Sequence, residues 1–199
     1  MKKIMFNDRY GLTEAVLIGT KTVTRREAFW TIAEIESFIY EDRLIVVDKR
    51  TKKQLVHRSR YKVGEIIAIA QRYSDIADDI VEKHGYGCNL HYYFTRYNRP
   101  TEGWYNKMFV KANEMPKRIK IMNIRCERLQ DISNDDCLKE GICSYRFGFF
   151  FEDKKVKRGR YYTFKSAKDT FTVLIDKLNG KGFWESNPYV IVYEFELLT

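Results

Sequence analysis

The segment "RIKIMNIRCERL", Arg118 to Leu129, sets the first constraint on the fold. Its apolar side chains fall at odd positions, Ile119 and Ile121, and then at even ones, Met122, Ile124 and Cys126. Strand side chains alternate between two faces, so a change of phase within one strand requires an extra residue. The sequence therefore predicts a β-bulge near Met122 and Asn123, in a strand that bends as it would round a small barrel.

The remaining elements follow from local signals. "KKIMF" reads as a first strand, and "LTEAVLIGT" as a helix with Leu12, Ala15 and Val16 on one face and Gly19 as its stop. Ala28 to Tyr40 carries Ala28, Ile32, Ile35 and Ile39 at helical spacing and predicts a second helix. "RLIVVDKRTKKQLVHRS" predicts a hairpin with a basic turn at Lys49 to Lys53, and "VGEIIAIAQRY", apolar on both faces, a central strand. A short helix is expected around Ile76 to Lys83, followed by turn signals mixed with aromatic strand residues. "ISNDDCLKEG" is a short helix between a Ser133 cap and Gly141. "SAKDTFTVLIDKLNGKG" is a longer one, capped by Ser166, with Asp169 in its first turn and Asn179-Gly180 at its close. "YVIVYEFEL" is the last strand, with Tyr189, Ile191, Tyr193, Phe195 and Leu197 on one face. Strands dominate and helices intervene irregularly, which favours an α+β fold around a curved sheet or small barrel. With 199 residues and no repeat or linker, one domain with insertions is expected.

No apolar run approaches the roughly 20 residues that span a bilayer. "MKKIMF" is followed at once by Asn7, Asp8 and Arg9, so it lacks the apolar stretch of a signal peptide, and a cytoplasmic location without membrane contact is expected. Cys88, Cys126, Cys137 and Cys143 form no CxxC pair, and His57, His84 and His91 are scattered, so reduced thiols, no metal and no cofactor are expected. The net charge of +9 favours polyanionic partners through long-range attraction and counterion release.

The densest polar cluster is "GTKTVTRR", Gly19 to Arg26, which packs Lys21, Arg25, Arg26 and three threonines behind the first helix. A solvated turn does not need so many donors. Gly19 alone reads as a helix stop and Arg25 as a solvated charge beside Glu27. The cluster together reads either as a polar loop or as the wall of a ligand pocket.

"LIGTKTVTRR" resembles the G-x-K-x-x-T-x-R motif of the ASCH family, carried here by Gly19, Lys21, Thr24 and Arg26. "YKVGEIIAIAQRY", "EMPKRIKIMNIRCERLQDISNDDCLKEGI" and "FWESNPYVIVYEFEL" are similar to the family's later segments, in family order. Residues 27–60, 72–114 and 143–165 fit less well and read as insertions. The resemblance implies a PUA-like mixed β-barrel with flanking helices, and RNA, a modified nucleoside or single-stranded nucleic acid as partner. Some family members are amidohydrolases that deacetylate N4-acetylcytidine with a Lys, a Thr and a Glu. Lys21 and Thr24 match the first two, whereas the acidic position is held here by Gln71.

An amide cannot exchange a proton but can recognise a base edge, so Gln71 moves the expectation from catalysis towards binding. In the catalytic alternative Thr24 is the nucleophile and Lys21, its pKa lowered by burial, the base; three-residue spacing lets them face one another across a turn. Glu65 stands about 20 Å along the strand from Gln71 and is too far to replace the missing acid; Glu27 and Asp75 are nearer. The expected ligand contacts are Gly19, Arg25, Arg26, Gln71 and, on the neighbouring strand, Arg118. Tyr92, Tyr93, Phe94 and Tyr97 among Arg96 and Arg99 read either as a base-stacking surface or as core with a charged outer face. The basic tip Lys154 to Arg160 reads as a phosphate contact or a solvated loop. A non-catalytic interaction module is the reading from a third class.

Overall fold

The computed structural model describes residues 1–28, 34–55, 59–77, 102–156 and 163–198. Its described elements, in chain order, are β1 (Lys3–Ile4), α1 (Leu12–Leu17), β2 (Val23–Glu27), β3 (Ile35–Tyr40), β4 (Arg43–Asp48), β5 (Gln54–Leu55), β6 (Ile66–Ile69), β7 (Arg118–Arg128), α2 (Asn134–Lys139), β8 (Cys143–Tyr145), β9 (Gly148–Phe150), α3 (Ala167–Asn179) and β10 (Tyr189–Leu198). One mixed sheet has the order β1-β6-β7-β10-β2, with β3-β4-β5 and β8-β9 as smaller sheets. The chain is thus α+β. Strands β1 and β2 stay at opposite ends of the order, so among the described residues the sheet does not close into a barrel.

Chain contacts divide the fold into two units. The first comprises Met1–Phe6, Ile66–Ile119 and Leu197–Thr199. Within it β1 runs parallel to β6, with Ile4 opposite Ile69. Ala68, Ala70, Tyr73, Ile76, Val110 and Met115 form its buried core, with Trp104 and Ala112 packed against them. The Tyr73 hydroxyl donates to Glu114 and accepts from the Lys111 amide, so the ring enters the core with its polar end satisfied.

The second unit comprises Asn7–Glu65 and Lys120–Glu196. Its helices begin and end where local chemistry places them. Ser133 Oγ accepts from the Asp136 amide at α2, and Ser166 Oγ from the Asp169 amide at α3, each bond 3.0 Å long. Helix α3 buries Ala167, Thr170, Phe171, Leu174 and Ile175, a stripe at helical spacing. In β7 the buried positions change from odd, Ile119 and Ile121, to even at Ile124, but Met122, expected on the buried side with Ile124, is exposed beside Asn123.

Ala28 to Tyr40 departs from expectation. Residues 29–33 lie outside those described, and Ile35–Tyr40 is not helical but the edge strand β3, paired antiparallel with β4. Ile35 and Ile39, four residues apart, share a face in a helix and in a strand alike, and pairing with "RLIVVD" decides between the two. The connecting residues Glu41 and Asp42 both have positive φ, as a tight hairpin requires, though neither is a glycine or asparagine. The expected helix from Ile76 falls mostly on undescribed residues. Among the described residues no helix is long and apolar enough to cross a membrane.

Candidate functional site

Strand β2 carries most of the polar cluster and, being a strand, sorts it onto two faces. Its register with β10 sets Thr24 opposite Tyr193, Arg25 opposite Val192 and Arg26 opposite Ile191. Thr24 and Arg26 share one face, and Arg25 belongs to the other.

The Arg25 face is an ion network closed within the second unit. The Arg25 side chain is 1% exposed. Its Nε and Nη2 donate to Glu127 Oε1 at 3.0 and 2.7 Å, Nη2 to Asp136 Oδ2 at 2.8 Å, and Nη1 to Glu140 Oε1 at 3.1 Å. Arg125 continues the chain, donating to Glu127 Oε2 at 2.9 Å, to Asp136 Oδ2 at 2.5 Å and to Glu194. Lys21 closes the other end. Its Nζ donates to Glu140 Oε2 at 2.5 Å, the Glu140 carbonyl at 2.8 Å and the Val23 carbonyl at 2.8 Å. An ammonium has three protons, and all three have acceptors here. Burial pushes the Lys21 pKa down while the Glu140 carboxylate opposes it. Burial also works against the charge on Arg25, but Glu140 and Glu127 together outweigh it and raise its pKa. Arg25 is therefore not the solvated partner of Glu27 that its sequence neighbours suggest.

The opposite face has a different character. Arg26 is exposed, Thr24 is buried, and Tyr193 is buried across from Thr24. Tyr193 packs edge-on against Tyr61 at 5.2 Å between centroids, and its hydroxyl accepts from the Arg60 amide at 3.1 Å. The exposed Arg60 places its guanidinium 5.5 Å from the Tyr61 ring. Burial raises the Tyr61 pKa, and the charges of Arg60 and Arg26 both pull it back. Among the described residues the Thr24 hydroxyl has no hydrogen bond.

Gln71 and Arg118 belong to the first unit. The Gln71 amide N–H donates to Met115 Sδ at 3.4 Å, whereas its side-chain Oε1 and Arg118 Nε are buried with no partner among the described residues. A buried acceptor left unmade costs about 1–3 kcal/mol. Gln71→Leu is therefore expected to raise stability by about 1 kcal/mol in urea denaturation; a loss of that size would mean that the amide is satisfied in solution.

Gly19 lies beyond the α1 C-terminus at φ +78°, in open space, which is a helix-stop geometry. Cys126, Cys137 and Cys143 are free thiols, and burial pushes the first two up to about 12. No group of three or more His, Cys, Asp or Glu among the described residues is arranged to hold a metal ion. His57, His84, His91, Cys88 and the aromatic run Tyr92 to Arg99 lie outside the described residues, as do 157–160 of the basic tip. Glu127, Asp136, Glu140, Tyr61 and Arg60 belong to these two faces and are not among the site residues expected from the sequence, although the first four lie within the segments that carry the resemblance. One signal was available: Asp136 and Glu140 are spaced i, i+4, so a short helix offers both carboxylates on one side. Compared with family models, with curated proteins and with solved structures, the chain finds no match in any of the three.

Proposed function

We propose that the chain is a PUA-like protein of the ASCH type that binds RNA or a modified nucleoside on the Thr24/Arg26 face of β2, without hydrolysing it. One observation carries the reading: Arg26 and Arg60 are both exposed, Arg60 with its guanidinium 5.5 Å from the Tyr61 ring and Arg26 on the face of β2 that carries Thr24 opposite Tyr193. Exposed guanidinium groups are the chemistry that meets phosphate, while Tyr61 and Tyr193, 3% and 2% exposed, back this face from within. The net charge of +9 adds long-range attraction to a polyanion.

Hydrolysis by Thr24 would need a base within hydrogen-bond reach of its hydroxyl. Lys21 directs its protons to Glu140 and the Val23 carbonyl instead. In the first unit, the Gln71 oxygen offers an acceptor but no proton transfer.

Fluorescence anisotropy with a labelled single-stranded RNA across a salt series tests the proposal. The expected result is salt-dependent binding whose slope, d log K/d log[salt], falls in magnitude by about 0.7 in Arg26→Glu. Equal binding by wild type and Arg26→Glu would overturn this face as the interface. Release of cytidine from N4-acetylcytidine, abolished by Thr24→Ala, would replace binding with amidohydrolysis.

A further inference from the structure

The β8–β9 ribbon exposes aromatic rings that the fold does not use. Tyr145 is 44% exposed and Phe147, at the tip, 76%. The two rings meet edge to face at 5.9 Å, and Tyr145 meets Phe150 at 5.5 Å. Arg146 lies 5.7 Å from the Phe147 ring centroid. Tyr145 pairs with Gly148, so Arg146 and Phe147 alone form the loop. Two-residue hairpin loops favour Asn and Gly, which take positive φ at little cost. Here neither loop residue has positive φ, and that conformation falls on Gly148 at +141°. Turn chemistry therefore does not account for Arg-Phe at this tip, and neither does burial.

The surroundings select an occupant. "CSYRFGFF", Cys143 to Phe150, contains no acidic residue. The antiparallel bridge Phe149↔Phe164 sets the exposed Lys165 across from Gly148, on the side that carries Tyr145 and Phe150. Rings are thus bordered by Arg146 and Lys165, with no carboxylate within the ribbon. That is the pairing of stacking faces and cations that fits a single-stranded nucleic acid, whose bases present π-faces and whose backbone is anionic.

We propose that the tip of the β8–β9 ribbon, Tyr145, Arg146 and Phe147 with Lys165, is a stacking platform for single-stranded RNA, a second contact separate from the Thr24/Arg26 face. It rests on the reading that the chain binds nucleic acid, but on none of the residues of that face. Unpaired bases stack on Phe147 and Tyr145 while the two cations meet the adjoining phosphates. Base-paired RNA keeps its π-faces within the duplex and gains nothing from the rings.

The test uses the full chain and a labelled oligouridylate, with an RNA duplex of equal length for comparison. Phe147→Ala and Tyr145→Ala are each expected to weaken oligouridylate binding about 5- to 100-fold and to leave duplex binding within about twofold. Phe147→Trp is expected to keep affinity and to report stacking as quenched indole fluorescence on titration. Circular dichroism checks that the variants are folded. Undiminished oligouridylate binding by both alanine variants overturns the platform while the Thr24/Arg26 face stands. Absence of any RNA binding by wild type overturns both. Equal losses for duplex and single strand, or a loss of self-association or vesicle binding in place of RNA binding, also overturn it.

Discussion

Glu140→Gln is expected to cost about 3–5 kcal/mol of stability, since it removes one partner of a buried ion network and leaves its cations in place. Glu140 holds two cations at once, Lys21 through Oε2 and Arg25 through Oε1, and its side chain is 7% exposed. Glutamine keeps the shape but loses the charge, and its NH₂ must face one of two cationic donors. Arg25 retains Glu127 and Asp136, so the larger share of the loss falls on Lys21, whose other two acceptors are carbonyls. For a chain of this size the loss corresponds to a melting temperature lower by about 6–20 °C. The double variant Lys21→Met/Glu140→Leu is expected to lose less than Glu140→Gln alone, because it removes the buried Lys21 charge together with its carboxylate and leaves Arg25 with Glu127 and Asp136. A melting curve for Glu140→Gln that overlays wild type would mean that water reaches the network and that Lys21 is not locked. That outcome would return Lys21 to the list of candidate bases.

How much of this was legible beforehand depends on the range of the forces involved. Helix ends are local physics, so Ser133, Ser166, Gly141 and the Asn179-Gly180 close could be read from a few residues each. The change of buried phase in β7, from Ile121 to Ile124, is likewise written in one segment. Ile35–Tyr40 was not legible, because its residues satisfy both a helical and a strand period and its partner β4 settles the choice. The Arg25 carboxylates stand 102 to 115 positions away in sequence, beyond any pattern of spacing. The split between Arg25 and Arg26 was within reach. Once "VTRRE" is taken as a strand, alternation alone sends neighbouring arginines to opposite faces. In sequence the motif reads as one donor-rich patch. The strand divides it into a buried network that fixes β2 and a second face on which Thr24 is buried and Arg26 meets solvent.

Gly148→Ala should loosen the β8–β9 ribbon by about 2–4 kcal/mol, from backbone strain and the loss of two hydrogen bonds. Gly148 has φ +141°, a conformation that L side chains avoid, and a Cβ there would stand 2.5 Å from the Phe164 carbonyl oxygen. That oxygen cannot yield without cost, because it accepts from the Phe149 amide at 2.9 Å while the Phe164 amide donates back to Phe149 at 2.9 Å. Relief of the clash therefore opens the bridge that ties β9 to the segment leading into α3. Amide exchange at Phe149 and Phe164 is the sensitive measurement, since a ribbon can open without unfolding the rest. The expected acceleration is about 30- to 1000-fold at both sites. Unchanged protection would mean that the backbone accommodates the methyl, and that Gly148 is not required at this place. The consequence reaches the rings, because Gly148 closes the loop that carries Arg146 and Phe147. If these side chains must be held in position to stack a base, Gly148→Ala lowers affinity for single-stranded RNA although it removes no contacting group. Ser144→Ala, an exposed position opposite Phe149, removes only a hydroxyl and should leave both exchange and affinity as they are. A loss of affinity that tracks the loss of exchange protection would separate positioning of the rings from their mere presence.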